Sequence, residues 1–246
     1  MVKNIFSLRP SLPDNRDYPY TPFNTPLKKV VDLREWDSPV DSQMNLGSCS
    51  ANAAVNAYEL LTIKHNKEKY TDLSRLFVYY NTRSTEGTIN EDVGAYLINT
   101  IKSLATYGVC SEALWAYDIS KFTTQPSPEC YTDALTRKIT NYRKLDGIDH
   151  YLDALNNNIP VLFGTTIHKS FDSVSYNNPI VPLPSKEDSV IGGHAMCLVG
   201  YDYPKKLLLA KNSYGTTWGD QGYCWIPFEY AKTEFFDPWV FDIVIT

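Results

Sequence analysis

Several things are scarce in this chain, and each scarcity excludes a class of function. Histidine is rare, at 4 in 246 residues. Basic residues are not in excess: 23 Lys and Arg face 28 Asp and Glu, for a net charge of −5. A nucleic-acid binder would carry a basic stripe, so no nucleic-acid partner is expected. No stretch is long and apolar enough to span a bilayer, and no membrane partner is expected. Residues 1–10 lack the apolar core that a secretory signal needs, which favours an intracellular setting. None of the 5 cysteines forms a C-x-x-C pair, so zinc is not expected, and neither is any other cofactor. An odd cysteine count without a secretion signal reads as free thiols, although Cys110 and Cys130 could pair in an oxidising compartment. The chain shows no internal repeat and no low-complexity tract.

What remains is enough for one large core or two small ones, with 43% apolar residues and 18 tyrosines. A monomer is expected. Residues 1–30 are rich in proline and polar residues and read as an extended N-terminal arm. The preferred reading is a strap packed on the surface; the alternative is a short pro-segment in or near a cleft. Residues 31–145 then read as helical, with helices expected over 49–64, 73–83, 92–107 and 131–142. In the third of these, Val93, Leu97, Ile101 and Leu104 form one apolar face. Residues 146–246 change character. A short helix near 149–156 precedes strand-like runs at 160–167, 194–201, 206–211, 222–226 and 239–245. A helical half followed by an antiparallel β half is an α+β pattern, and it puts a cleft between the two subdomains.

The chemistry concentrates at Cys49, in Gln43-Met-Asn-Leu-Gly-Ser-Cys-Ser-Ala-Asn-Ala53. Here an irregular segment gives way to a helical pattern in which Ala51, Ala54, Val55, Tyr58 and Leu61 share a face. With Ser48 as the helix cap, Cys49 stands in the first turn, where unpaired N–H groups favour a thiolate. The bland alternative is a buried structural cysteine. Among the histidines, His194 differs from His65, His150 and His168. It follows Gly192 and Gly193 and opens an apolar strand-like run, whereas His65 lies in a polar stretch, His150 at a helix start, and His168 at the close of the apolar run 160–167 next to a lysine. A turn at 203–205 would fold that strand against 206–211 and carry Asn212 to His194. The Asn212 amide oxygen would then hold one ring nitrogen while the other faces the thiol. Tyr214 and Trp218 are placed to shield that bond from water. Gln43, six residues before Cys49, could supply an N–H to a developing oxyanion alongside the Cys49 backbone N–H.

These residues together resemble the papain family of cysteine peptidases. The matching pieces are Gln43, Gly47-Ser48-Cys49, His194-Ala195, Val199-Gly200-Tyr201, Asn212-Ser213-Tyr214-Gly215, Trp218-Gly219 and Gly222-Tyr223. The resemblance runs in order over most of residues 30–246, and the Gly-Ser-Cys-Ser-Ala-Asn-Ala run looks like the bacterial or viral branch. It implies a papain-like two-subdomain fold and a cysteine endopeptidase working through a thioester on peptide or protein substrates. Cys49 would be the nucleophile, His194 the base and acid, Asn212 the orienting residue and Gln43 an oxyanion donor. The resemblance also suggests substrate-binding roles for Gly94 and Gly193, with Trp218 nearby. It leaves Tyr230, Glu234 and Phe235 as alternative floors of the main specificity pocket. The sequence departs from the family at Leu46, Ser50 and Tyr214, where a cysteine and two tryptophans are usual. Two alternatives therefore stay open: a catalytically weak peptide-binding relative, and a thiol acyltransferase.

Overall fold

A computed structural model of the chain describes residues 6–66 and 70–243. In chain order the elements are β1 (Val30–Asp32), α1 (Cys49–Asn66), α2 (Arg75–Glu86), α3 (Leu97–Tyr107), α4 (Pro128–Ala134), β2 (Ile139–Lys144), α5 (Gly147–Asn156), β3 (Val161–His168), β4 (Val190–Asp202), β5 (Leu207–Lys211), β6 (Tyr223–Pro227), α6 (Phe228–Glu234) and β7 (Phe235–Ile243). The fold is α+β: helices dominate the first half and one antiparallel sheet the second. Strands run in the order β2-β7-β3-β4-β5-β6, with β1 paired to β4. The expected hairpin is present, with Cys197 opposite Lys211 and Asp202 opposite Leu207. All five cysteines are unpaired and buried.

α1 is the spine of the molecule. Ala51, Ala54, Val55, Ala57 and Leu60 are all fully buried, as are residues on its other faces. It packs against β4 and β3 on one side and α2 and α3 on the other. A helix enclosed all round needs small side chains where neighbours crowd it, and the alanines supply them. Ser50 is one of these buried positions; its hydroxyl accepts a hydrogen bond from Thr100 Oγ1 at 3.0 Å.

The expected helix over 131–142 divides instead. α4 ends at Ala134, and Ile139–Lys144 becomes a strand paired with β7. Ile139, Tyr142 and Arg143 suit a strand as well as a helix, and pairing with β7 satisfies their backbone, so tertiary context decides. The helix expected from 92 begins only at Leu97, because residues 92–96 form an irregular stretch in which Gly94 takes φ +76°. β7 begins earlier than expected, at Phe235, and α6 occupies the gap before it. Positions 244 and 245 of the expected last strand lie outside the described residues.

The arm is held at two places. Its later part is strapped to α5. Buried Asp153 accepts from Tyr20 Oη (2.7 Å) and from the N–H groups of Phe23 and Asn24 (2.9 and 3.0 Å). Asn156 Oδ1 accepts from Lys28 N–H at 3.0 Å, while its Nδ2 donates to Thr25 Oγ1 at 2.9 Å. The earlier part, residues 6–9, lies in the cleft.

Candidate active site

The backbone first explains where Cys49 stands. α1 begins at Cys49 itself, and the Asn52 N–H donates to Ser48 C=O at 3.0 Å, so Ser48 holds the cap position. The Ser48 hydroxyl is engaged elsewhere, with Tyr117 Oη at 2.5 Å and Asn52 Nδ2 at 3.0 Å. Tyr117 Oη also lies 3.1 Å from Gln43 C=O. It thereby ties the loop before Cys49 to the helix start. Asp92 does the same from another side, since its Oδ1 accepts from Gly47 N–H at 2.9 Å and from Tyr79 Oη at 2.7 Å. Neither Tyr117 nor Asp92 carries a sequence signal, because their partners lie 74 and 45 positions away.

His194 and Asn212 meet as the hairpin requires. His194 Nε2 lies 2.8 Å from Asn212 Oδ1. The same oxygen accepts from Ser213 N–H at 2.8 Å, which fixes that atom as the acceptor and Nε2 as the donor. In the neutral ring the lone pair is then on Nδ1, which is buried and without a hydrogen-bond partner among the described residues. Tyr214 covers the ring, with centroids 5.0 Å apart. Trp218 sits one layer further out, edge-on to Tyr214 at 5.6 Å and stacked on Phe171 at 5.4 Å. Tyr214 is therefore the direct shield of the His194–Asn212 bond, and Trp218 braces it.

Lys211, just before Asn212, anchors this strand end. Its buried Nζ donates to Asp37 Oδ1 (3.0 Å), Ser38 C=O (2.8 Å) and Ser38 Oγ (2.9 Å). Three donors meet three acceptors, so the buried ammonium is fully satisfied. Ser213 reaches across the cleft: its Oγ donates to Gln43 Oε1 at 2.6 Å, and Gln43 N–H donates to Ser213 C=O at 2.8 Å. With its oxygen committed, Gln43 directs Nε2 away from Ser213. One hydrogen of that amide bonds Leu46 C=O at 2.9 Å, and the second has no acceptor among the described residues.

Electrostatically the site is closed and neutral. Burial pushes the Cys49 thiol up to about 11, against the pull of the Ala195, Ser50 and Cys49 backbone N–H groups around the sulfur. Burial pushes His194 down to about 4, opposed by its bond to Asn212. Both charged forms are disfavoured because water is excluded. The arm covers this ground. Phe6 stands edge-on to His194 at 5.8 Å. Phe6 C=O accepts from Gly193 N–H, and Leu8 N–H donates to Gly193 C=O, each at 3.2 Å. Ser7 fills the space beside Gly94 and Gly47, where an added Cβ would lie 2.5 Å and 2.8 Å from Ser7 Oγ. Gly94 also has φ +76°, so both its conformation and its neighbour require glycine. Arg9 lies over the Tyr96 ring at 5.1 Å. A groove of about 660 Å³ runs beside this segment, bordered on the far side by Thr88 and Glu91–Val93.

Tyr230, Glu234 and Phe235, the three alternatives for the pocket floor, each have partners of their own. Tyr230 Oη donates to Thr166 C=O at 2.6 Å, Glu234 pairs with His168 Nε2 at 3.0 Å, and Phe235 stacks on Phe163 at 4.0 Å. Side chains alternate along a strand, so Phe236, and not Phe235, faces Gly164, Gly193 and Leu8.

A helix-borne thiol, a sheet-borne imidazole held by an amide, and a cleft between them define a papain-like cysteine protease. The chain belongs to the papain family of cysteine proteases, whose sequence pattern it matches over residues 27–234. An uncharacterised peptidase C1-like protein of Acanthamoeba polyphaga mimivirus is 39% identical over 219 residues, 85% of this chain and 70% of that protein. Xylellain, a cysteine protease from Xylella fastidiosa, superposes with TM-score 0.90 at 35% identity, covering 99% of this chain and 97% of that one. Procathepsin B S9 from Trypanosoma congolense shares the fold at TM-score 0.76 and 14% identity, covering 100% of this chain and 89% of that one.

Proposed function

We propose that the chain is an endopeptidase that cleaves peptide bonds through a thioester on Cys49. His194 Nδ1 takes the thiol proton. The sulfur attacks the substrate carbonyl carbon, and the C=O π pair moves onto oxygen. The Cys49 N–H and the free Nε2 hydrogen of Gln43 receive that charge. The oxygen lone pair then re-forms C=O, the C–N bond breaks, and the leaving amine takes the proton from His194. Water, deprotonated by the same ring, hydrolyses the thioester and returns Cys49. The observation that carries this reading is the orientation of His194: Asn212 holds Nε2, and Nδ1 is left buried with no hydrogen-bond partner among the described residues.

Residues 6–9 then act as an internal blocker, and residues 18–28 as the strap that delivers them. The arm passes His194 at Phe6 and leads away from it through Leu8 and Arg9. A substrate needs its leaving amine at His194 and its acyl part along Gly94 and Gly193, so it runs the other way. The arm thus fills the cleft without offering a bond in the order that attack requires. In this closed form the thiol and imidazole stay neutral, and displacing the arm restores water and with it the ion pair.

The test is covalent labelling by an epoxysuccinyl inhibitor together with casein hydrolysis. Stoichiometric labelling at Cys49, with both labelling and hydrolysis lost in Cys49→Ala, is the expected result. Full hydrolysis by Cys49→Ala would end the proposal.

A further inference from the structure

We infer that Arg75 is a positioning residue that holds the two oxyanion donors, Gln43 Nε2 and the Cys49 N–H, at their working separation. This rests on the endopeptidase reading above and adds a residue to its machinery.

Arg75 is the first residue of α2, where a cation opposes the helix dipole. It is nonetheless only 7% exposed, so neither helix stability nor solvation accounts for an arginine here. Its guanidinium sits where three segments converge. Nη1 faces three oxygens: Asp41 Oδ1 at 3.2 Å, Asn52 Oδ1 at 3.3 Å and Ser42 C=O at 3.5 Å. Nη2 lies 3.9 Å from Glu112 Oε1, and Cζ stands over the Tyr117 ring, 4.2 Å from its centroid. None of these contacts is with Cys49, His194 or Asn212, so Arg75 acts through its neighbours.

Those neighbours lead to the donors. Ser42 precedes Gln43, whose C=O accepts from Tyr117 Oη. Asn52 Nδ2 donates to Ser48 C=O and Ser48 Oγ, each at 3.0 Å, and Ser48 precedes Cys49. Tyr117 joins both sides, since its Oη also meets Ser48 Oγ. Glu112 fixes Tyr117 by accepting from its N–H. The donors stand on separate pieces of backbone, one in a loop and one at a helix start. A developing oxyanion needs both within about 2.7–3.1 Å of one point, so their separation must be held. Ser213 ties Gln43 to the sheet, and Arg75 supplies the tie to the helices. A planar guanidinium can stack on the Tyr117 ring while its edge bonds Ser42 and Asn52; a lysine cannot do both.

The experiment uses the full chain, unaltered and as Arg75→Met, Arg75→Lys, Tyr117→Phe, and Arg75→Met combined with Tyr117→Phe. kcat and KM are measured on a fluorogenic casein-derived peptide, and Cys49 alkylation by iodoacetamide is followed in parallel. In alkylation the sulfur displaces iodide from a CH2 carbon and no oxyanion forms. It therefore reports fold and thiol access but not the donor pair. Arg75→Met is expected to lower kcat on the order of 10- to 100-fold, with KM and the alkylation rate each within about threefold. Arg75→Lys keeps the charge but should stay at least about threefold below the unaltered chain in kcat. Tyr117→Phe keeps the ring, removes its hydroxyl and should lower kcat on the order of tenfold. The double variant should fall no more than about threefold below the lower single, because both changes cut one tie. Should Arg75→Met fail to fold, Arg75→Lys and Tyr117→Phe carry the test. Unchanged kcat, full recovery in Arg75→Lys, alkylation falling in step with kcat, or multiplied losses in the double variant would each overturn the positioning role and leave the peptidase reading intact. No hydrolysis by the unaltered chain while Cys49 is alkylated would instead refute the peptidase reading, and this role with it.

Discussion

Truncating Leu8 to alanine should loosen the closed site by a calculable amount. Leu8 is buried in the cleft, and its fellow contacts there are two backbone bonds to Gly193 and the edge of Phe6 on His194. Leu8→Ala keeps the backbone bonds and removes three buried carbons, worth about 2 kcal/mol at the usual value per methylene. Because water can enter an opened cleft, the extra cost of an empty cavity is not added. A loss of about 2 kcal/mol raises the open fraction on the order of 30-fold. The readout is the rate of Cys49 alkylation by iodoacetamide at fixed pH, followed by mass spectrometry. Cys49 is 1% exposed and its thiol is pushed up to about 11, so the reagent can reach it only through opening. A 10- to 30-fold faster rate in Leu8→Ala is expected. An unchanged rate would show that the arm does not control access. So would a starting rate already equal to that of a free cysteine.

Acid should also release the arm. His194 is held near 4 under the arm against an ordinary value of 6.5. Its lowered value adds stability to the closed form that is complete above pH 6.5 and lost as pH falls through 4. The loss amounts to about 1.4 kcal/mol per pH unit within that window. Hydrogen exchange at the Leu8 and Gly193 amides, corrected for intrinsic rates, should therefore show opening on the order of tenfold or more greater at about pH 4.5 than at about pH 7. Protection that rises on acidification would contradict the sign. Asn212→Ala removes the 2.8 Å bond that orients His194 and should lower kcat/KM on the order of 10- to 100-fold while Cys49 can still be labelled. Lys211→Met strands Asp37 as a buried, uncompensated carboxylate and should cost about 3–5 kcal/mol in urea unfolding. A change under about 1 kcal/mol would mean that the ammonium is not needed to hold that strand end.

The core of the site could be read from the chain because it depends on local pattern plus one turn. The run into Cys49 carries a helix start, and the Gly-Gly-His strand, the turn and Lys211-Asn212 carry a hairpin. Pairing strands across a short turn is nearly forced, so His194 and Asn212 had to meet. Gln43 was recognisable only as part of that set. What local pattern could not supply were choices made by distant neighbours. Ile139–Lys144 was ambiguous until β7 offered it a partner. Phe235 and Phe236 are equivalent on paper, and only the strand's phase, set by pairing with β3, turns the second toward the cleft. Tyr117, Asp92 and Ser213 support the site through bonds spanning 45 to 170 positions.

The arm makes the same division most clearly. Its prolines and polar residues dictate an extended, unstructured-looking segment, and a surface strap was the natural reading. The strap exists, along α5, but the residues before it continue into the cleft. Composition alone determined that this segment would form no helix or core of its own. Where it lies was decided by the folded body, which offers a glycine-walled groove with unpaired Gly193 backbone and an apolar pocket. An extended strand gains hydrogen bonds and burial there that no surface position would give it.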